Sequence, residues 1–477
     1  MTEVRDADSL ELLTALDMVA MYRNGTLSPV DVVQSALRRL ERLNPEINAF
    51  YSVDHEGALE AARRSETRWQ AGAPLSQLDG VPTSDKDSLQ AVGHPRHFGS
   101  SAFDGLTRPS NSDAPAVARL REAGAVSLGR TTMCDFGLLP SGYSTAFGPT
   151  RNPWDTSRTP GGSSSGAAAA VAAGIHPVVV GSDIVGSIRL PASFCGLVGH
   201  KPSYGRVPFF FQNSPAVVTG PMARTVDDVA NMLTIISRPD ARDFTALPYD
   251  PVDYAEAIKA RPAVRKIGLM LDIGFGPDPD PEVQAIVEAR AREMAKRLGA
   301  ELIEIKSPFG PKDYVAGDQF YRLRCLSQLS QLPEENQKRG EFIYDWTAPV
   351  RSMSAVDYHA YADRLIVTRS RAMRLMQDCD YLLLPSVAIP AFDAELPGHD
   401  PDEMFAGWSN TFIFNLTEQP SVSVPAGLSG GGLPIGLQIV GPRYDDLGCL
   451  KMAWVAEQIW GPFPNSPMAG SAEQGDN

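Results

Sequence analysis

Apolar positions along this chain repeat with two periods, and the changes of period divide it into helices and strands. Between residues 9 and 45 the repeat is helical. Val32, Val33, Ala36, Leu37, Leu40 and Leu43 share one face; Ser28 is placed to cap it, and Pro29 suits the first helical position. Asn44-Pro45 then predicts a stop. A second helix is predicted with Asp113 as its cap, Val117, Leu120 and Ala123 on one face and Gly124 at its end, followed by a strand at 125–129. The alternation continues with a strand at 177–181, a helix at 226–236, a strand at 266–271, a helix at 281–298, and strands at 301–305, 381–384 and 422–425. Such alternation predicts an α/β fold whose sheet is covered by helices on both faces. No internal repeat is evident. The polar, proline-containing stretch 239–262 reads as a long surface connection, and the small, polar tail from 464 as a frayed end.

Composition narrows the function classes. The chain has 477 residues, 43% hydrophobic and 21% charged, which is an ordinary globular balance. Length alone suggests two to four domains of roughly 150 residues each. The net charge of −14 repels phosphate backbones and anionic lipid, so neither nucleic acid nor membrane is an expected partner. The five cysteines, Cys134, Cys195, Cys325, Cys379 and Cys449, are scattered and form no CxxC pair, so no disulfide framework or zinc site is expected. The acidic N-terminus lacks a signal-peptide core, and the longest nearly apolar run, 167–181, is too short to span a bilayer. A cytoplasmic location is expected, with neither metal nor cofactor.

Three segments carry candidate chemistry. In Leu78-Asp-Gly-Val-Pro-Thr-Ser-Asp-Lys86-Asp87 a lysine sits between two aspartates, a pattern that by itself suits a surface charge cluster. In Thr159-Pro-Gly-Gly-Ser163-Ser164-Ser165-Gly166 a glycine- and serine-rich run enters an alanine-rich helix. A phosphate cradle there would need the lysine of a nucleotide loop, which is missing. The run also satisfies G-x-S-x-G, with Ser164 at its centre. A nucleophile elbow needs a strand immediately upstream, whereas residues 151–160 contain two prolines and no apolar alternation. Ser164 is therefore not read as a nucleophile. In Gly181-Ser-Asp183-Ile-Val-Gly186-Ser187-Ile-Arg189-Leu-Pro191 a short strand ends in a turn presenting Ser187, whose successive N–H groups can converge on an anion.

Together these segments resemble the amidase signature family. The resemblance rests on the serine-rich run, the 24-residue step from Ser163 to Ser187, the Ser-Ile-Arg-Leu-Pro-Ala sequence and the upstream Lys-Asp. It extends to residues 113–129, 147–155 and 194–202, and returns in Asn415-Leu-Thr and in 433–441. It implies a single α/β/α domain around a large, mixed, twisted sheet, in place of several domains. The N-terminal helices would occupy about 9–45, the core about 75–235, a variable insert about 240–400, the return to the core about 405–462, and the tail 464–477.

The resemblance also implies the chemistry. Ser187 would be the nucleophile, Ser163 a relay following a cis peptide, and Lys86 a neutral base made available by desolvation. No histidine lies in the three segments. The backbone N–H groups of Ile184, Val185, Gly186 and Ser187 would hold the oxyanion, with Ser164, Asp183 and Arg189 in support. Two departures stand out: Val185 and Ser165 occupy positions where the family often has glycine, and a valine resists positive φ.

Met133, Leu139, Tyr143, Phe209, Phe210 and Trp408 are expected to line the substrate site, with Phe211 adding to that wall. Trp408 falls near the position of the ammonium-binding acid of glutamine-hydrolysing amidotransferase subunits. The expected substrate is thus a small apolar or aromatic amide, with carbamates and esters open to the same acyl transfer, acted on by a monomer or homodimer. The alternatives are a glutamine-hydrolysing subunit of a multi-subunit amidotransferase and a catalytically silent binding protein.

Overall fold

The computed structural model describes residues 7–210 and 216–470. One mixed sheet of eleven strands organises them: β1 (Phe50–Val53), β2 (Pro82–Lys86), β3 (Val126–Thr131), β4 (Val178–Asp183), β5 (Val198–Lys201), β6 (Val218–Ala223), β7 (Lys266–Leu269), β8 (Glu301–Glu304), β9 (Tyr381–Pro385), β10 (Ser421–Leu428) and β11 (Pro434–Val440). Their spatial order is β1-β3-β2-β4-β6-β5-β10-β11-β9-β7-β8. β2 runs parallel to β3 and β4, and β7 parallel to β8 and β9; the remaining pairs are antiparallel.

Helices cover both faces. One apolar layer joins the helices Val226–Ile236, Pro281–Leu298 and Asp446–Trp460 to the sheet; a second packs Pro311–Leu329 and the aromatic segment Met404–Trp408 on the other face. The amphipathic helix Pro29–Ile47 seals one end by burying Val33, Leu37, Leu40, Leu43 and Ile47. Each such aliphatic side chain contributes about 1.5–3 kcal/mol relative to exposure. The helix Ser165–Ala172 is buried on every side, as its alanine-rich composition allows. A Cβ on its Gly166 would lie 2.2 Å from the Ala49 carbonyl oxygen. No helix among the described residues is long and apolar enough to cross a membrane.

Local chemistry shifted two boundaries. The first long helix runs through Pro45 to Ile47 rather than stopping at Asn44. A last-turn proline removes one N–H donor without ending the turn, and the stop is Asn48 at φ 49°. The Asn44 side chain then clamps Phe50 through hydrogen bonds of 2.8 and 2.9 Å. The helix Pro115–Glu122 is not capped by Asp113, because that carboxylate accepts from the Val92 N–H and from Arg121.

Candidate active site

β2 is the strand that sequence patterning could not find, since Pro-Thr-Ser-Asp-Lys offers no apolar alternation. All five residues are nevertheless buried, and their polar groups are matched. Thr83 Oγ1 donates to the Val178 carbonyl at 2.9 Å, Ser84 Oγ pairs with His176 Nε2 at 2.9 Å, and Asp85 accepts from Ser127 Oγ at 2.8 Å. β2 therefore carries Lys86 into the interior at its C-terminal end, beside the end of parallel β4. Ligands in open α/β sheets collect at such carboxyl ends.

Lys86 Nζ lies 2.9 Å from each of Ser163 Oγ, Ser164 Oγ and Ser182 Oγ, and 3.4 Å from the Ser182 carbonyl oxygen. Burial lowers its pKa to about 8, against the opposing pull of Cys134, Asp183 and Asp87. At that value roughly a tenth of the lysine is neutral at pH 7. Ser163 and Ser164 are equally near the amine, but Ser163 lines the adjoining cleft and Ser164 is fully buried. No strand precedes the G-x-S-x-G run, in keeping with its rejection as an elbow. The Gly162–Ser163 peptide is cis. A Cβ on Gly162 would stand 2.3 Å from the carbonyl oxygens of Leu139 and Ser141, so only glycine fits.

Ser187 follows β4 and lines the same cleft, of about 250 Å³. Its Oγ is buried and makes no hydrogen bond among the described residues; the expected Ser163–Ser187 link is thus open in this structure. The turn that holds Ser187 is built around Asp183. That carboxylate accepts from the Gly186 N–H at 2.8 Å and the Ile188 N–H at 3.1 Å, and from Arg189 Nε and Nη2 at 3.0 Å each. Burial alone would raise the Asp183 pKa, but the charge and hydrogen bonds of Arg189 outweigh it and hold the carboxyl below its usual range. Arg189 also reaches the Thr411 carbonyl at 2.9 Å and Gln438 Oε1 at 2.7 Å, and Asn415 Nδ2 donates to Asp183 at 2.8 Å. Asn415 and Gln438 lie in segments that carry the family resemblance, yet sequence reasoning gave them no role; their signal was a buried amide in an apolar context.

The anion-binding expectation is narrowed. Gly186 N–H belongs to Asp183, whereas the N–H groups of Ile184, Val185 and Ser187 donate to no acceptor among the described residues. The concern over Val185 also resolves. Positive φ falls on Gly186, at 141°, and not on Val185. A Cβ on Gly186 would meet Thr411 Oγ1 at 2.2 Å and Trp408 Cδ1 at 3.0 Å. Ser165 begins its helix without positive φ, so glycine is not required there.

Of the expected substrate contacts, Met133, Phe209 and Phe210 line the cleft, and Phe211 lies outside the described residues. Three expectations are corrected. Trp408 is fully buried behind the Gly186 turn, with its ring 5.5 Å from that of Tyr321, so it packs the core. Leu139 is buried in the loop beneath Gly162, where its N–H and carbonyl both meet Cys134 Sγ. Tyr143 turns from the cleft to meet Phe342 edge-on at 5.2 Å. The cleft instead uses Arg96, Phe98, Phe136, Arg324 and Gln328. An outer chamber of about 740 Å³ shares Phe98, Phe136, Arg324 and Gln328 with it and adds Phe103, Phe320, Leu323 and Tyr358.

The amidase family model matches residues 31–450. The chain belongs to the amidase signature family. It is therefore an enzyme of a family that hydrolyses amide C–N bonds, on the mixed sheet that family shares. Among relatives, a glutamyl-tRNA(Gln) amidotransferase subunit of Myxococcus xanthus is 36% identical over 475 residues, spanning 94% of this chain and 97% of that protein. The corresponding subunit of Symbiobacterium thermophilum is 34% identical over 483 residues, spanning 94% and 97%. Among solved structures, a bacterial aryl acylamidase superposes with a TM-score of 0.88 at 28% identity, covering 96% of this chain and 99% of that one.

Proposed function

We propose that this amidase cleaves its C–N bond through an acyl-enzyme on Ser187, with Lys86 and Ser163 moving the proton. The observation that carries this reading is the fully buried Lys86 amine, 2.9 Å from the Oγ of Ser163, which lines the same cleft as Ser187. Neutral Lys86 takes the Ser163 proton, and Ser163 takes the Ser187 proton as Oγ attacks the carbonyl carbon. That transfer requires Ser187 to turn toward Ser163 when substrate is seated, a tightening common on substrate binding. The oxyanion is held by the N–H groups of Ile184, Val185 and Ser187. The proton returns through Ser163 to the departing nitrogen, the C–N bond breaks, and water then cleaves the ester by the same path.

The sequence relatives support an amidotransferase component, releasing ammonia from an amide within a larger assembly, more strongly than the stand-alone apolar amidase expected from sequence. The second reading keeps one observation in its favour: the catalytic cleft opens into an aromatic-lined chamber, as suits an aryl or acyl substituent. Carbamate and ester substrates belong to that second reading. The purified chain is assayed alone, and with candidate partner subunits, against glutamine, aryl amides and their carbamate and ester counterparts. Turnover of aryl amides by the isolated chain supports the stand-alone enzyme; glutamine turnover that depends on partners supports the amidotransferase component. No hydrolysis under either condition overturns the acyl-enzyme reading.

A further inference from the structure

Two arginines line the catalytic cleft of a chain whose net charge is −14. Arg96 comes from the loop beyond β2 and Arg324 from the helix Pro311–Leu329, so the fold brings together groups far apart in sequence. The guanidinium of Arg96 lies over the Phe98 ring, 4.9 Å from its centroid, and no ion pair holds it among the described residues. The nearby Asp87 carboxylate is occupied by the Tyr51 hydroxyl and by the N–H groups of His97 and Gly99, each at 2.9 Å. Arg324 and Gln328, one helical turn apart, border both the inner cleft and the outer chamber, as do Phe98 and Phe136. These four residues, with Arg96 on the inner side, form a neck between the reacting serine and the apolar chamber.

The cleft offers little to an opposing cation. Among the described residues its one acidic lining residue is Asp183, whose oxygens are already taken by Arg189, Asn415 and two backbone N–H groups. A substrate ammonium would enter beside two guanidinium groups and meet no available carboxylate. A substrate carboxylate would instead gain charge-assisted, fork-shaped hydrogen bonds.

We propose that Arg96 and Arg324 form a carboxylate-binding neck, so that the enzyme selects amides bearing a carboxylate, no adjacent ammonium, and an apolar or aromatic part for the outer chamber. As a statement about turnover this rests on Ser187 being the acylating residue; as a statement about binding it does not.

Binding is measured by isothermal titration on the full-length Ser187→Ala protein, which cannot consume the ligand. The probes are 4-acetamidobenzoate against 4-acetamidobenzamide, and glutaramate against glutamine. The carboxylate should bind about tenfold or more tightly than its carboxamide, and glutaramate more tightly than glutamine. Adding Arg96→Gln and Arg324→Gln together should bring the first ratio toward one, and each alone should lower it, with circular dichroism showing the folded state. Equal or reversed affinities, or a preference that persists in the double variant, overturn the proposal. A preference for carboxylate without turnover or acylation in the wild type would count against Ser187 and leave the neck standing. Acylation of Ser187 without that preference would count against the neck alone.

Discussion

Replacing Lys86 with methionine removes a buried amine while keeping its length, and the structure sets the size of the effect. Burial lowers the Lys86 pKa from 10.5 to about 8. The folded state therefore binds fewer protons than the unfolded state between those values, and unfolding free energy rises with pH across that window. Below pH 8 both states carry the proton, and holding it in the interior costs about 3 kcal/mol at 1.36 kcal/mol per pKa unit. Above pH 10.5 the cost is gone. The difference in unfolding free energy, wild type minus Lys86→Met, should therefore grow by about 2.5 kcal/mol from pH 7 to pH 10. Other titrating groups cancel because both proteins share them. The hydroxyls of Ser163, Ser164 and Ser182 that lose their partner shift the difference by an amount that varies little with pH. Urea denaturation of both proteins at pH 7, 8, 9 and 10 reads the slope directly. A flat difference, or one that falls with pH, would refute the depressed amine and remove the supply of neutral lysine at neutral pH.

Asp183→Asn should lower stability by about 3–5 kcal/mol, because Arg189 stays buried without its counter-charge; denaturant titration checks this, and a loss under 1 kcal/mol would contradict the Asp183-centred turn. Gly186→Ala forces a side chain onto φ 141° and against Thr411, so it should cost about 2 kcal/mol or more and abolish acylation. Val185→Gly should retain acylation, since Val185 sits at ordinary φ; intact-protein mass spectrometry after reaction with an acylating ester separates the two variants. The rate constant kcat/KM should climb through pH 8 as Lys86 loses its proton, and Lys86→Arg should be inactive at every pH because guanidinium keeps its proton. A folded, active Lys86→Arg protein would contradict that role.

How much of this was legible in the sequence depended on how each residue signals its environment. The helices 226–236 and 281–298 were found because their apolar stripes face the core layer, and their predicted limits match the structure. β2 was hidden because its burial is compensated by hydrogen bonds rather than by apolar side chains. Lys86, Ser163 and Ser187 were legible only through family resemblance; Lys86 between two aspartates otherwise reads as surface. The substrate wall was poorly legible because sequence cannot say which way an aromatic points. Trp408 packs behind the turn that holds Ser187, while Phe209 and Phe210 reach the cleft. Arg96 and Arg324 come from segments with no periodic signal, and only tertiary packing brings them to one neck.

The central claim is tested most directly by locating the covalent adduct left by a fluorophosphonate serine probe. Peptide mapping by mass spectrometry should find one adduct, on Ser187. It should be absent in Ser187→Ala, retained in Ser164→Ala, and formed far more slowly in Lys86→Met and Ser163→Ala. An adduct on Ser164, or labelling of Ser187 at the wild-type rate when Lys86 is gone, would contradict the Ser187–Ser163–Lys86 account.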